Sequence, residues 1–204
     1  MKLLLVLISL LIGSLLPLKA ETYVTEQDVQ IDRCACAWFI LRFIDKDAEF
    51  KFFKNGEKAP AGIGFDYFGA DYFHKGPDCS FTSFIKKHPR KNTTDQKALQ
   101  AINQMVNDVF AWRDGPKSQS SLLRIAIDEQ RNLLKDDQKT LTACLAIFDY
   151  CFVEKGGSLP EISREEALQT LLKEQKIIFA SNQFTEPNSK SRKALLEFLN
   201  LLKR

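Results

Sequence analysis

The sequence predicts an α+β protein, a mostly helical body with a small sheet of about three short strands in its N-terminal half. Three observations carry this. Short phenylalanine-rich segments, separated by glycines and turn residues, cluster between Glu49 and His74. From Pro89 onwards the apolar residues recur at three and four, the helical period. Strands gathered early and helices gathered late are the α+β order rather than the alternation of a parallel α/β sheet.

Taken in order, Ile31 to Ile44 has helical spacing, with Ile31, Cys34, Ala35, Trp38 and Leu41 recurring and Asp32 placed to cap the start. Glu49 to Lys54 reads as a strand after the turn Asp45-Lys46-Asp47, and Asn55 to Gly64 as a loop. Phe65 to Phe68 and Ala70 to His74 read as two further strands joined around Gly69, and Ser80 to His88 starts a helix. Asp95 is placed to cap a helix with the face Ala98, Ile102, Met105, Val106 and Val109, which Asp114-Gly115-Pro116 stops. Leu122, Ile125, Ala126, Leu133 and then Leu141, Cys144, Leu145, Phe148, Phe152 mark two more helices, parted near Lys135-Asp136-Asp137. Gly156 to Pro160 is the best internal boundary. Beyond it Ser163-Arg164-Glu165-Glu166 fits a capping box opening a helix to about Glu174, and a last helix spans Lys190 to Leu202.

The first twenty residues have the three-part order of a secretory signal. Met1-Lys2 is basic, Leu3 to Leu16 is apolar apart from Ser9, Gly13 and Ser14, and Pro17 and the small Ala20 precede the polar Glu21-Thr22. An apolar run of about 14 residues is short of the ~20 that span a bilayer, so the expectation is cleavage and a secreted or periplasmic protein without a membrane span. Residues 21–155 then form the main domain and 156–204 a helical C-terminal extension. The leader holds Lys2 and Lys19 and no acid, so 29 basic residues fall to 27 against 26 acidic ones. That near-neutral balance gives no footprint for nucleic acid or an anionic membrane. Sixteen phenylalanines supply a real core.

Two segments hold the unusual chemistry. In the first, Asp32 and Cys36 lie about 40° apart on a helix, one turn above each other, and Arg33 borders that face. One turn can therefore offer a carboxylate, a thiol and a guanidinium, and a helix N-terminus favours an anion and lowers a thiol's pKa. In the second, His74 and Cys79 flank the turn at Gly76-Pro77, so both can converge on one point as metal ligands or as a thiol with its base. Asp66 is placed to orient His74 or to bond its own loop. His88 reads as solvated. Trp38 and Arg42 read as structural, a core aromatic and a helix-face ion pair, and Asp45 as a turn residue. Cys144 and Cys151 are seven apart on one helix, about 10.5 Å between Cα atoms, too far to bridge and suited to the core.

Together these residues carry a resemblance. Asp32-Arg33-x-x-Cys36-x-Trp38-x-Ile40-x-Arg42-Phe43-Ile44-Asp45, then Phe65-Asp66, then His74-x-Gly76-x-x-Cys79-Ser80-Phe81 resembles the C-terminal domain of the chromate-resistance protein B family. The likeness runs from about Val24 to Phe152 and takes in Phe148-Asp149-Tyr150. Ala37 stands where the family pattern has proline and Cys34 where an aliphatic is usual. The regulatory domain of two-domain members is absent from this sequence, and export argues against a transcription regulator.

The resemblance implies chromate resistance and a small inorganic ion, chromate or a metal, as partner, without fixing a reaction, redox or hydrolytic. The expected binding residues are Asp32, Arg33, Cys36, Asp66, His74 and Cys79. In one version Asp32, Cys36, His74 and Cys79 hold a divalent metal such as Zn²⁺. In the other, Arg33 and the helix start hold an oxyanion beside a thiol able to reduce it. The alternative from another class is a non-catalytic binding or scaffold protein stapled by a disulfide from Cys36 or Cys34 to Cys79.

Overall fold

A computed structural model describes residues 20–181 and 190–202; the expected leader lies outside the described residues except for Ala20. The elements are β1 (Thr22–Glu26), α1 (Ile31–Phe39) with a π-helical turn (Ile40–Ile44), β2 (Glu49–Phe53), β3 (Ile63–Gly64), α2 (Ser80–Lys87) and α3 (Thr93–Phe110). They continue with α4 (Gln119–Leu134), α5 (Asp137–Glu154), α6 (Arg164–Ser181) and α7 (Lys190–Leu202). The α+β expectation holds, with a small sheet early in a mostly helical chain.

The sheet differs in its membership. It is parallel, in the order β2-β1-β3, with Thr22 opposite Glu49 and Tyr23 opposite both Phe50 and Ile63. The central strand β1 went unread because five residues beside the expected cleavage point give too little alternation, despite the strand-forming Thr22, Tyr23, Val24 and Thr25. The two strands expected at 65–68 and 70–74 reduce to a single bridge between Phe65 and Tyr72. Asp66 at φ +53° and Gly69 at φ +87° turn the backbone out of the extended region there. The third strand forms instead in the expected loop. A Cβ on Gly62 would sit 2.6 Å from the Thr22 carbonyl oxygen, so glycine lets this strand approach β1. The backbone just before β1 is fastened by Asp45, whose carboxylate accepts the Glu21 amide at 2.8 Å.

The helix α1 runs through the core, with Ile31, Asp32 and Cys34 to Phe39 all buried. The helix α5 is buried on nearly every side from Thr140 to Phe152, as a helix apolar all round must be. The two meet at Trp38, whose ring lies 5.7 Å from Phe148 and 5.5 Å from Phe152 between centroids. Asp149 of α5 reaches back to α1. It accepts Trp38 Nε1 at 2.8 Å and is held by Arg42 through Nε at 2.8 Å and Nη2 at 2.7 Å. Trp38 and Arg42 are therefore structural, but Arg42 pairs across 107 residues rather than along its own helix. The widened turn closed by the Asp45 amide on the Ile40 carbonyl accompanies this aim.

Other helix ends follow simple rules. The Ser163–Glu166 capping box forms, with Ser163 N bonding Glu166 Oε2 and Glu166 N bonding Ser163 Oγ. Asn92, not Asp95, caps α3; Asp95 is buried and accepts the Ser158 amide at 2.9 Å. The helix α6 runs past Glu174 to Ser181, packing on α5, while α7 packs on α4. Cys144 and Cys151 sit in the core as expected.

Replacing Asp149 strands a half-buried guanidinium and a buried indole N–H. Asp149→Ala is expected to lower stability by about 3–5 kcal/mol, read as a fall in the urea midpoint. A shift below about 1 kcal/mol would remove this role.

Candidate functional site

Asp32 lies in the first turn of α1 yet caps a different helix. Gln30 occupies the N-cap position of α1 and makes no side-chain cap bond. The Asp32 carboxylate instead accepts the Ser80 amide at Oδ2 and the Phe81 amide at Oδ1, both at 2.8 Å. These are the first two N–H groups of α2, which would otherwise be orphaned. Sequence spacing showed the capping residue but not the helix it caps.

Asp66 joins this group from the bend after Phe65. Its Oδ1 accepts the Ser80 hydroxyl at 2.7 Å, and its Oδ2 lies 3.2 Å from Arg33 Nε. Arg33 also binds Glu26 Oε2 at 3.2 Å and the carbonyls of Gln27, Asp28 and Asp66 at 3.0, 3.2 and 3.1 Å. Its guanidinium is thus occupied by the chain leaving β1. Asp66, expected to orient His74, is engaged with Ser80 and Arg33 instead. Burial pushes the Asp66 carboxyl up to about 8, and the Asp32 charge adds to this while Arg33 opposes it. Burial also raises Asp32, against the two amides that lower it. Two carboxyls this close behave as one unit that retains a proton near neutral pH.

Both thiols of the motif back onto the pair. Cys36 Sγ lies 3.8 Å from Asp32 Oδ1. Cys79 is held by Asn107 Oδ1 on its amide at 2.8 Å, with Thr82 Oγ1 at 3.5 Å and Asn103 Oδ1 at 3.8 Å from its sulfur. Neither has the depressed pKa expected of a helix start. Burial, then the Asp32 charge, pushes Cys79 up to about 12 and Cys36 well above the usual thiol range. The amides of Phe81 and Thr82 at the start of α2 do favour the Cys79 thiolate, but burial and the Asp32 charge outweigh them. The expected disulfide from Cys36 or Cys34 to Cys79 is not formed either. All five cysteines are free and buried, and Cys34 bonds toward Cys144 on α5.

Five of the six expected residues, Asp32, Arg33, Cys36, Asp66 and Cys79, are therefore brought together. His74 stands apart from their hydrogen bonds. Its ring lies 3.9 Å from Phe73 and 5.3 Å from Phe110, with Nδ1 buried and without a hydrogen-bond partner. Among the described residues no three His, Cys, Asp or Glu side chains are grouped to hold a metal ion. His88, expected in solvent, is half-buried on the Tyr72 hydroxyl at 2.8 Å.

The pair opens onto a cleft of about 470 Å³, lined among others by Asp32, Arg33, Asp66, Arg124, Asp128 and Arg131. The last three are four and three residues apart on α4, one face of the helix. That spacing was the available signal, and they were not singled out from sequence. Arg124 Nε binds Asp114 at 2.8 Å and Nη1 reaches Asp128 at 3.6 Å. Arg131 Nε binds Asp28 at 3.4 Å and Nη2 reaches Asp128 at 3.6 Å. At the rim stands Trp112, 91% exposed. It ends α3 in a Schellman arrangement, with Trp112 N on the Val109 carbonyl and Arg113 N on the Asp108 carbonyl. This left-handed position, φ +56°, usually carries glycine, and a side chain there costs about 1–2 kcal/mol.

Residues 23–154 match the family described as ChrB, C-terminal domain, and the chain belongs to that chromate-resistance family. It is 30% identical over 124 residues to Protein ChrB of Cupriavidus metallidurans (strain ATCC 43123 / DSM 2839 / NBRC 102507 / CH34), 60% of this chain. That stretch covers 37% of the relative's length. No solved structure matches.

Two outcomes follow from this geometry. Thiol titration without reductant is expected to find five reactive cysteines in denaturant and none reacting quickly in the native protein; three in denaturant would restore the staple. Between about pH 4 and pH 8 the folded chain keeps a proton on Asp66 that the unfolded chain has lost. Stability therefore falls as pH rises through that window. Melting temperature should decline from pH 5 to pH 8 and the decline should flatten in Asp66→Asn; parallel curves for the two proteins would refute the raised carboxyl.

Proposed function

We infer that this is an exported anion-binding protein whose cleft takes a tetrahedral oxyanion of the chromate type, gripped by Arg124 and Arg131. The observation that carries the reading is the charge arrangement of the cleft. Its lining sets Arg33, Arg124 and Arg131 against Asp32, Asp66 and Asp128, with Glu26, Asp28 and Asp114 also paired to these arginines, and the proton retained by the Asp32–Asp66 pair at neutral pH removes one negative charge beside them. Arg124 and Arg131, each held in place by two aspartates, are the guanidinium groups that the α4 face offers to an anion. The protonated carboxyl of the pair supplies an O–H donor where an ionised one would repel. Arg33 acts as a support that fixes Asp66, and the two thiols serve as buried packing rather than as reductants.

Export is supported by the basic, apolar and small-residue order of the first twenty residues. Glu21, first after the expected cleavage point, is the residue whose amide Asp45 fastens, and the family match begins at residue 23. None of the described helices is long and apolar enough to cross a membrane. Divalent metal binding has less support, because both Asp32 oxygens are spent on amides, the thiols are pushed up and His74 is elsewhere.

Sulfate keeps its charge across the relevant pH range and so isolates the protein's titration. Calorimetry on residues 21–204 should show one sulfate or chromate bound, weakened at least ~10-fold by Arg131→Gln or Arg124→Gln, a loss of about 1.4 kcal/mol or more. Affinity should also fall as pH rises through about 8, where Asp66 gains its charge. Stoichiometric divalent metal by mass spectrometry, with neither anion bound, would overturn the assignment.

A further inference from the structure

The cleft is much larger than a bare tetrahedral ion, which displaces two or three water volumes, roughly 60–90 Å³ at about 30 Å³ per water. A volume of about 470 Å³ belongs with sites for organic molecules. Its lining is also divided. Arg124 and Arg131 lie on α4, while Val109, Phe110 and Trp112 come from the end of α3. The last of these is anomalous twice over. An indole that is 91% exposed gains nothing from the core, and it occupies a left-handed helix-terminal position where glycine is preferred. The loop that follows it is nonetheless anchored, since Arg124 clamps Asp114, itself largely buried, at 2.8 Å. Trp112 thus lines the cleft two residues before a point fastened to Arg124, which lines the same cleft.

We propose that the cleft has a second subsite, in which Trp112 stacks on a flat ring carried by the anion, so that the preferred ligand is an aromatic monoester of a tetrahedral oxyanion. This rests on the anion reading above and extends it. The indole face supplies a broad apolar surface for an aryl or heteroaryl ring, and Phe110 also lines the cleft. The ester's terminal oxygens then fall to Arg124 and Arg131.

The test compares phenyl phosphate with inorganic phosphate on the full mature chain by calorimetry, in wild type, Trp112→Gly, Trp112→Phe and Arg131→Gln. Glycine is the residue this turn favours, so Trp112→Gly should fold at least as stably as wild type, and its melting temperature checks that. Phenyl phosphate is expected to bind at least ~10-fold tighter than phosphate. The ratio should collapse toward one in Trp112→Gly, survive in part in Trp112→Phe, and persist in Arg131→Gln while both affinities fall. Equal affinities in wild type, or a ratio unchanged by Trp112→Gly, would overturn the aromatic subsite while leaving the anion site standing. Binding of neither phosphate, or no effect of Arg131→Gln on either, would overturn both.

Discussion

The carboxylate of Asp32 is buried at the point where two helices begin, and much of the molecule is arranged around keeping it there. It terminates the exposed amides of α2 from the first turn of α1, so the two helix starts are locked at hydrogen-bond distance. That lock positions Ser80, whose hydroxyl in turn holds Asp66, and Asp66 is the seat for Arg33. Sheet, bend and two helices thus converge on one small polar group. A buried charge of this kind is tolerated only when each lone pair has a donor, and the amides, Ser80, Arg33 and the retained proton provide them.

The opposite end of α1 repeats the device with other residues. Asp149 satisfies Trp38 and Arg42 much as Asp32 satisfies Ser80 and Phe81, so α1 is pinned by a carboxylate at each end. The difference between the ends is chemical. Asp149 meets a cation directly and is fully compensated. Asp32 meets dipoles and a second acid, which leaves a titratable surplus next to a cleft. A perturbed acid beside an opening is the usual mark of a working site, and a neutralised one is the usual mark of scaffolding.

Much of this was legible in the residues. The helical period found every long helix, and the capping box at Ser163 needed only local chemistry. Five of the six expected residues lie together because they belong to two compact motifs that the fold brings side by side. What failed depended on partners far along the chain. The strand β1 becomes a strand by pairing with residues 49–53 and 63–64, and its five residues, though strand-forming, are too few to announce it. The same holds for the direction of the thiol shifts, because the help that the start of α2 gives Cys79 is outweighed by burial and by the charge of Asp32, which arrives from another helix. His74 misled because a turn brings residues near without deciding which way a ring faces, and here it faces Phe73 and Phe110. The arginines of α4 carry no motif at all. They matter because of the cleft they line.

The position of β1 also constrains the order of folding. The central strand comes first in the domain, but the segment it leads into is fastened more than a hundred residues later, with Val29 on Asp137 and Trp38 on Asp149. A chain emerging from its N-terminus cannot close this core until α5 has emerged as well. Loop closure over such separations is slow compared with local helix formation. The early segment therefore gains its long-range partners only once the residues of α5 are available to it.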